Sequence, residues 1–162
     1  MPLTKIQAEP AFDVIGIIAR TSNKAAFQES TIQKLWERFM TEQIFNKIPN
    51  KRDNAVIALY HDYENDKDGE YSLLIGVRVI SIENIPSGMI AKHVAAEDRA
   101  LFTTNQGPRT EVVIGEWQKI WNAAEQGELA RSYTFDYELY DERSYDLANA
   151  IVEIHIGIKN QA

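Results

Sequence analysis

The sequence contains no cysteine. That absence removes a disulfide framework, a thiolate zinc site and a cysteine nucleophile together. Basic residues are also short: 17 Lys and Arg stand against 24 Asp and Glu, for a formal net charge of -7. Nucleic-acid binding by phosphate neutralisation draws on a basic run or stripe, so direct nucleic-acid binding is not expected. An acidic field of this size serves solubility and also favours the approach of a cationic small molecule. No apolar run approaches the ~20 residues that cross a bilayer, and Met1–Pro10 lacks the apolar core and cleavage-like site of a secretory signal. The expectation is a soluble, cytoplasmic protein without a membrane partner. No phosphate-binding glycine motif and no G-x-S-x-G elbow is present. His61, His93 and His155 lack ligand-like spacing. The acidic run Glu64–Gly69 resembles a calcium loop only superficially, because Ile75 stands where the bidentate Glu is required. No metal or cofactor is expected.

What the chain does have is enough apolar material for a sizeable core: 162 residues, 44% of them hydrophobic. That suits one domain, or two half-domains sharing a core. Two segments carry a helical period. Ile32, Leu35, Trp36, Phe39, Met40 and Ile44 form one apolar stripe, with Ser30 and Gln33 as a capping box and Pro49 beyond the end. Val113, Ile114, Trp117, Ile120, Trp121 and Ala124 form the second, with Thr110 as N-cap and Gly127 as stop signal. The remaining runs read as strands: 12–20, 55–63, 71–80, 89–95, 99–104, 132–140 and 150–158. Tyr71, Leu73, Ile75, Val77 and Val79 share one face, as do Ala150, Val152, Ile154, Ile156 and Ile158.

The order strand, helix, strand, strand occurs twice. Trp36 and Trp117 stand 81 residues apart, half the chain length. Asp62-Tyr63-Glu64 is read as the counterpart of Asp136-Tyr137-Glu138 at an offset reduced to 74. An internal duplication follows, with units 11–81 and 87–159 inside a single domain 1–162. The predicted fold class is α+β: duplicated strand–helix–strand–strand units forming a curved antiparallel sheet, two helices on one face, and a groove on the pseudo-twofold axis. Grooves between helices are favoured sites for small ligands.

All three tryptophans, Trp36, Trp117 and Trp121, fall on the two helices. Each alone reads as a core anchor; paired by the repeat, they become walls of the groove. Tyr60, Tyr137 and Tyr140 are aromatics on the strands that follow the helices. Glu138 lies within the strand Ser132–Tyr140, where alternation groups Thr134, Asp136, Glu138 and Tyr140 on one face and Tyr133, Phe135, Tyr137 and Leu139 on the other. Pattern alone favours a solvated face. The other reading is a buried carboxylate among aromatics, which selects a lipophilic cation through charge and cation–π contacts.

Ile15–Arg20, Leu35–Phe39, Asp62–Glu64, Ile85–Met89, Glu116–Trp121 and Asp136–Tyr140, taken in order, resemble the gyrase-inhibitor-like (GyrI-like) effector-binding domain over nearly the whole chain. The stand-alone branch of that family is the nearest match. Related domains form the ligand-sensing half of AraC/XylS-type and MerR-type regulators, and some travel alone on mobile gene cassettes as drug-binding modules. The resemblance implies a pocket at the pseudo-dyad, with Glu138 facing lipophilic cations and Trp117 and Trp36 as its paired tryptophans. Trp121, Tyr60 and Tyr140 complete the expected ligand-binding set, and no catalytic residue is assigned. The chain departs from such regulators in lacking room for a DNA-binding module, each predicted helix being flanked by strands rather than paired by a short turn. The expected partner is a small lipophilic or cationic organic ligand, with a homodimer or a regulator protein left open. Two alternatives stand beside this reading: a hydrolase of strained, cyclopropane-type electrophiles using Glu138 as general base, and a protein-interaction inhibitor.

Overall fold

The period-two runs pair into one antiparallel sheet of eight strands, seen in a computed structural model that describes residues 5–66 and 68–159. In chain order the elements are β1 (Lys5–Glu9), β2 (Phe12–Ser22), α1 (Asn23–Glu29), α2 (Thr31–Thr41), α3 (Ile44–Lys47), β3 (Lys51–His61), β4 (Glu70–Val79), β5 (Ile90–Val94), β6 (Glu97–Thr103), α4 (Arg109–Glu125), β7 (Arg131–Tyr140) and β8 (Glu153–Ile158). Across the sheet the strands run β1-β6-β8-β7-β3-β4-β2-β5. From the β7–β3 seam outward, each half therefore reads the same way: the strand after the helix, its hairpin partner, then the strand before the helix. The architecture is α+β, as the sequence indicates.

The alternating faces sort the core into two layers. Tyr71, Leu73, Ile75, Val77 and Val79 lie in one cluster with Val152, Ile154 and Ile156, and this cluster takes in Leu35 and Phe39 of α2 and Trp117 and Ile120 of α4. Both long helices thus cover one face of the sheet. Burying side chains of this size contributes roughly 1.5–3 kcal/mol each, which outweighs the modest helix propensity of such aromatic-rich segments. The other face has its own cluster of Phe12, Val14, Ile57, Leu59, Leu74, Val94 and Tyr137.

Several local expectations are corrected. The first helical stripe is divided: Ser30 and Gln43 adopt left-handed backbone (φ 55° and 52°), so α1, α2 and α3 are separate. Ser30 makes no side-chain cap; the Ser22 hydroxyl caps α1 instead, accepting from Ala25 N at 3.1 Å. The first helix is therefore flanked by short helices, not by strands directly. Met40, placed in the apolar stripe, points to solvent. Helix α4 starts two positions before its expected first turn: Pro108 is its N-cap and Thr110 lies inside it, whereas Gly127 (φ 75°) ends it as read. The Asp-Tyr-Glu runs are not equivalent in place: Asp62 follows the last residue of β3, while Asp136 sits in mid-β7. Strand β1 went unread because its burial is polar. Glu9 accepts from Arg99 Nη1 (3.0 Å) and Tyr137 Oη (2.6 Å) and meets His155 Nδ1 at 2.5 Å. His61 and His155 are buried and His93 is exposed. Lys67, within the acidic run set aside as a calcium loop, lies outside the described residues; among those described, no cluster could hold a metal ion. No helix among them is long and apolar enough to cross a membrane.

Two predictions concern stability. Gly16 and Gly76 face each other across β2 and β4, and a Cβ on Gly16 would lie 2.1 Å from the Ile75 carbonyl oxygen. Backbone cannot move aside, so Gly16→Ala is expected to cost at least the ~1–3 kcal/mol of ordinary overpacking, read as a lower urea midpoint. For Glu9, burial raises the carboxyl pKa, but the bonds and charge of His155, with help from Tyr137 and Gln7, hold it down at about 2. Its folded value lies below its unfolded one, so its contribution is present above pH ~4.5 and is lost as pH falls towards ~2. Glu9→Gln should flatten the loss of stability across that window, followed by denaturation at stepped pH.

Candidate functional site

Strands β3 and β7 meet in register, with Ala58 opposite Glu138 and Tyr60 opposite Asp136. Glu138 therefore projects towards the helices beside a small side chain, and it is only 3% exposed. The solvated reading of its face is overturned. Its carboxylate accepts three hydrogen bonds: from Tyr60 Oη to Oε2 at 2.8 Å, from Trp117 Nε1 to Oε2 at 2.7 Å, and from Tyr140 Oη to Oε1 at 2.6 Å. All three donors are neutral, and among the described residues no cationic side chain forms an ion pair with it. Desolvation raises the Glu138 pKa, and the three hydrogen bonds only partly offset that.

Around this carboxylate opens a cavity of about 810 Å³ between α2 and α4. All six residues singled out from the sequence line it: Trp36, Tyr60, Trp117, Trp121, Glu138 and Tyr140. Trp36 meets Tyr140 edge-on at 5.0 Å between ring centroids, and Trp117 meets Tyr60 at 5.3 Å and Trp121 at 6.1 Å. The first two contacts are edge-to-face and the third is tilted, and together they fix the ring faces as walls.

Among the lining residues that sequence reading did not assign to the site are Tyr63, Tyr71, Arg109 and Arg131. Tyr71 belongs to a core-facing stripe that was seen, and its hydroxyl reaches the Asn23 side chain at 2.8 Å. Arg131 was hidden by a bulge. The β7–β8 register shifts between Arg131 and Asp136, and Tyr133 takes a left-handed φ of 54°. Beyond the bulge, Asp136, Glu138 and Tyr140 alternate as expected. Before it the parity flips: Tyr133 packs on Tyr63 and the Arg131 guanidinium, while Thr134 bonds Glu97. The face assignments of Tyr133 and Thr134 are thereby reversed. Arg131 and Asp136 meet at 2.7 Å, both buried, and Tyr63 also donates to Asp136.

The cavity thus has two polar poles. At one, the Arg131–Asp136 pair balances its own charge. At the other, Glu138 has no cationic partner, so its ionised form is uncompensated. Ionising such a carboxylate destabilises the fold, because one-sided burial of charge is expensive. Glu138→Gln is therefore expected to raise stability at neutral pH. The sign follows from the raised folded pKa: the wild-type protein regains stability as pH falls through that value towards ~4.5, so the advantage of the variant should shrink on acidification. Paired thermal melts at stepped pH measure this, and a less stable variant at neutral pH would contradict it.

Comparisons with known proteins agree with this architecture. Residues 5–158 match the family model described as the integron-associated effector binding protein, Cass2. YobU of Bacillus subtilis (strain 168), which is named as a transcriptional regulator, is 29% identical over 146 residues, covering 89% of this chain and 90% of YobU. The integron cassette protein VCH_CASS2 from the mobile metagenome of Vibrio cholerae superposes with a TM-score of 0.72 at 29% identity, over 96% of this chain and 95% of that one. SAV2435, solved bound to tetraphenylphosphonium, gives a TM-score of 0.78 at 17% identity, over 97% and 94% of the two chains, and shares the fold. With a match that runs from β1 to the end of β8, the chain belongs to the integron-associated effector-binding protein family, within the GyrI-like superfamily.

Proposed function

We propose that the cavity binds a lipophilic organic cation and that Glu138 is its counter-ion. One observation carries the reading: a buried carboxylate with only neutral donors, in an aromatic chamber large enough for a drug-sized molecule. Cavities of about 300–1,000 Å³ take such ligands. A cation entering here relieves the uncompensated charge, and each indole or phenol face adds about 0.5–2 kcal/mol. Aromatic walls tolerate varied shapes, so selectivity rests on charge more than on outline. That SAV2435 was solved with a phosphonium cation supports the same chemistry on the same fold. The ligand acts on a single effector-binding domain in the cytoplasm. Its readout passes through a protein partner or a second copy rather than through DNA. The support for that exclusion is the net charge of -7, since the succession α1–α2–α3 removes the argument that helices are flanked only by strands.

The hydrolase reading needs a hydroxyl or indole donor within reach of Glu138, and three are present. Binding is the better supported role, because both carboxylate oxygens already accept from protein donors. Formation of ring-opened product from a cyclopropane-type substrate, abolished by Glu138→Gln, would reverse that order.

The binding test uses quenching of tryptophan fluorescence by an aryl quaternary ammonium compound and by its neutral carbon isostere. Glu138→Gln should weaken the ammonium by about tenfold or more, and change the isostere by less than about twofold. Equal losses for the two would refute charge recognition.

A further inference from the structure

The Arg131 pole of the cavity has unused donors. Arg131 is 4% exposed, yet only its Nη2 is engaged, donating to Asp136 Oδ2 at 2.7 Å and towards Tyr63 Oη at 3.5 Å. Nε is completely buried with no acceptor, out of a ligand's reach, whereas Nη1 retains exposed surface and donates to no described residue. A guanidinium has five N–H donors in a rigid plane. Leaving a buried charged donor unmet is costly, and such a group calls for a partner. The side chain cannot swing away to find one. Its plane is held 4.3 Å from the Tyr133 ring and is flanked by Trp117 at 5.7 Å and Tyr63 at 5.8 Å. Trp117 also ties the two poles together: its indole N–H bonds Glu138, and its ring faces Arg131.

Building on the Glu138 reading, we infer that the cavity recognises cations that carry a neutral oxygen acceptor, such as an ester or ketone carbonyl, about one indole's width from the positive centre, and that Arg131 reads that oxygen. Charge balance selects a neutral acceptor. Asp136 already neutralises Arg131. The other cationic side chain on the lining, Arg109, is half-buried over the Tyr140 ring and donates to the Ser144 carbonyl oxygen at 3.3 Å. A monocation opposite Glu138 therefore leaves no fully buried charge without a partner. A carboxylate in the acceptor's place would add an anion with no partner in a low-dielectric site. Arg131 is thus a specificity residue for the second arm of the ligand, as Glu138 is for the first.

A matched series of benzyltriphenylphosphonium cations tests this. One carries a para methyl ester, one a para sec-butyl group of the same shape, and one a para carboxylate. Each is titrated against the wild-type protein, Arg131→Lys and Glu138→Gln. Lysine keeps the charge for Asp136 but lacks the fork that presents Nη1 beside the Asp136-bound Nη2. In the wild type the ester should bind about tenfold more tightly than the sec-butyl cation despite its lower lipophilicity, and the carboxylate more weakly than the ester. Arg131→Lys should bring the ester down to the affinity of the sec-butyl cation, and the comparison of the two within the variant cancels any change in the cavity common to both. An ester no better than the sec-butyl cation, or an advantage that survives Arg131→Lys, overturns the inference. Failure of the underlying reading looks different: Glu138→Gln would then leave the sec-butyl cation unaffected. Should Arg131→Lys not fold, the Arg131 Nη1–H resonance of nitrogen-labelled wild-type protein, read at low temperature, decides. It should move downfield with the ester and not with the sec-butyl cation, and equal shifts with both refute the inference.

Discussion

The seam between β3 and β7 is the constraint on which everything else rests. It joins the two halves of the sheet, sets α2 and α4 over a common face, and fixes which side chains meet beneath them. At its centre Ala58 stands opposite Glu138, so the carboxylate rises into space that a larger partner would fill. Two positions along the same strand, Tyr60 leans back to bond it. A slip of one residue would turn Glu138 to the far face, among Ile57, Leu59 and Tyr137, where none of its three donors can follow.

The cavity shows how a binding site is held open at the expense of comfort. Hydrogen bonds from two tyrosines and a tryptophan orient the carboxylate without neutralising it. Replacing any of those donors by a cation would quiet the site and would also fill the role kept for a ligand. Neutral donors therefore do two jobs: they prevent the carboxylate from collapsing onto a wall, and they preserve its charge for an incoming partner. The Arg131–Asp136 pair shows the opposite solution to burial, with the charge cancelled within the protein.

Much of this was legible in the sequence. Regular alternation and helical stripes announced seven strands and both long helices, because in those segments burial and apolarity coincide. Five aromatic residues of the cavity, Trp36, Tyr60, Trp117, Trp121 and Tyr140, were legible for the same reason, whereas Glu138 needed the family resemblance to reverse the solvated reading of its face. Where burial is polar, the signal disappears. Glu9 is held by Arg99, Tyr137 and His155, partners far away in sequence, and nothing local marks β1 as a strand. Arg131 escaped notice because a bulge breaks the period on which its face was judged. Ser30 and Gln43, both in left-handed backbone without glycine, divided a stripe that looked continuous.

The bulge at Tyr133 has a bearing on how the fold avoids its near alternatives. Arg131 and Asp136 are five residues apart on one strand, so in a regular strand they would point to opposite faces. Only the extra residue lets them meet, and only their meeting makes it tolerable to bury both. A straightened β7 would leave one charge on each side of the sheet with no partner, at a cost of several kcal/mol. The ion pair thus acts as a register lock. It adds little to the native state beyond what an apolar pair would give, but it penalises each competing alignment of the strand that carries Glu138.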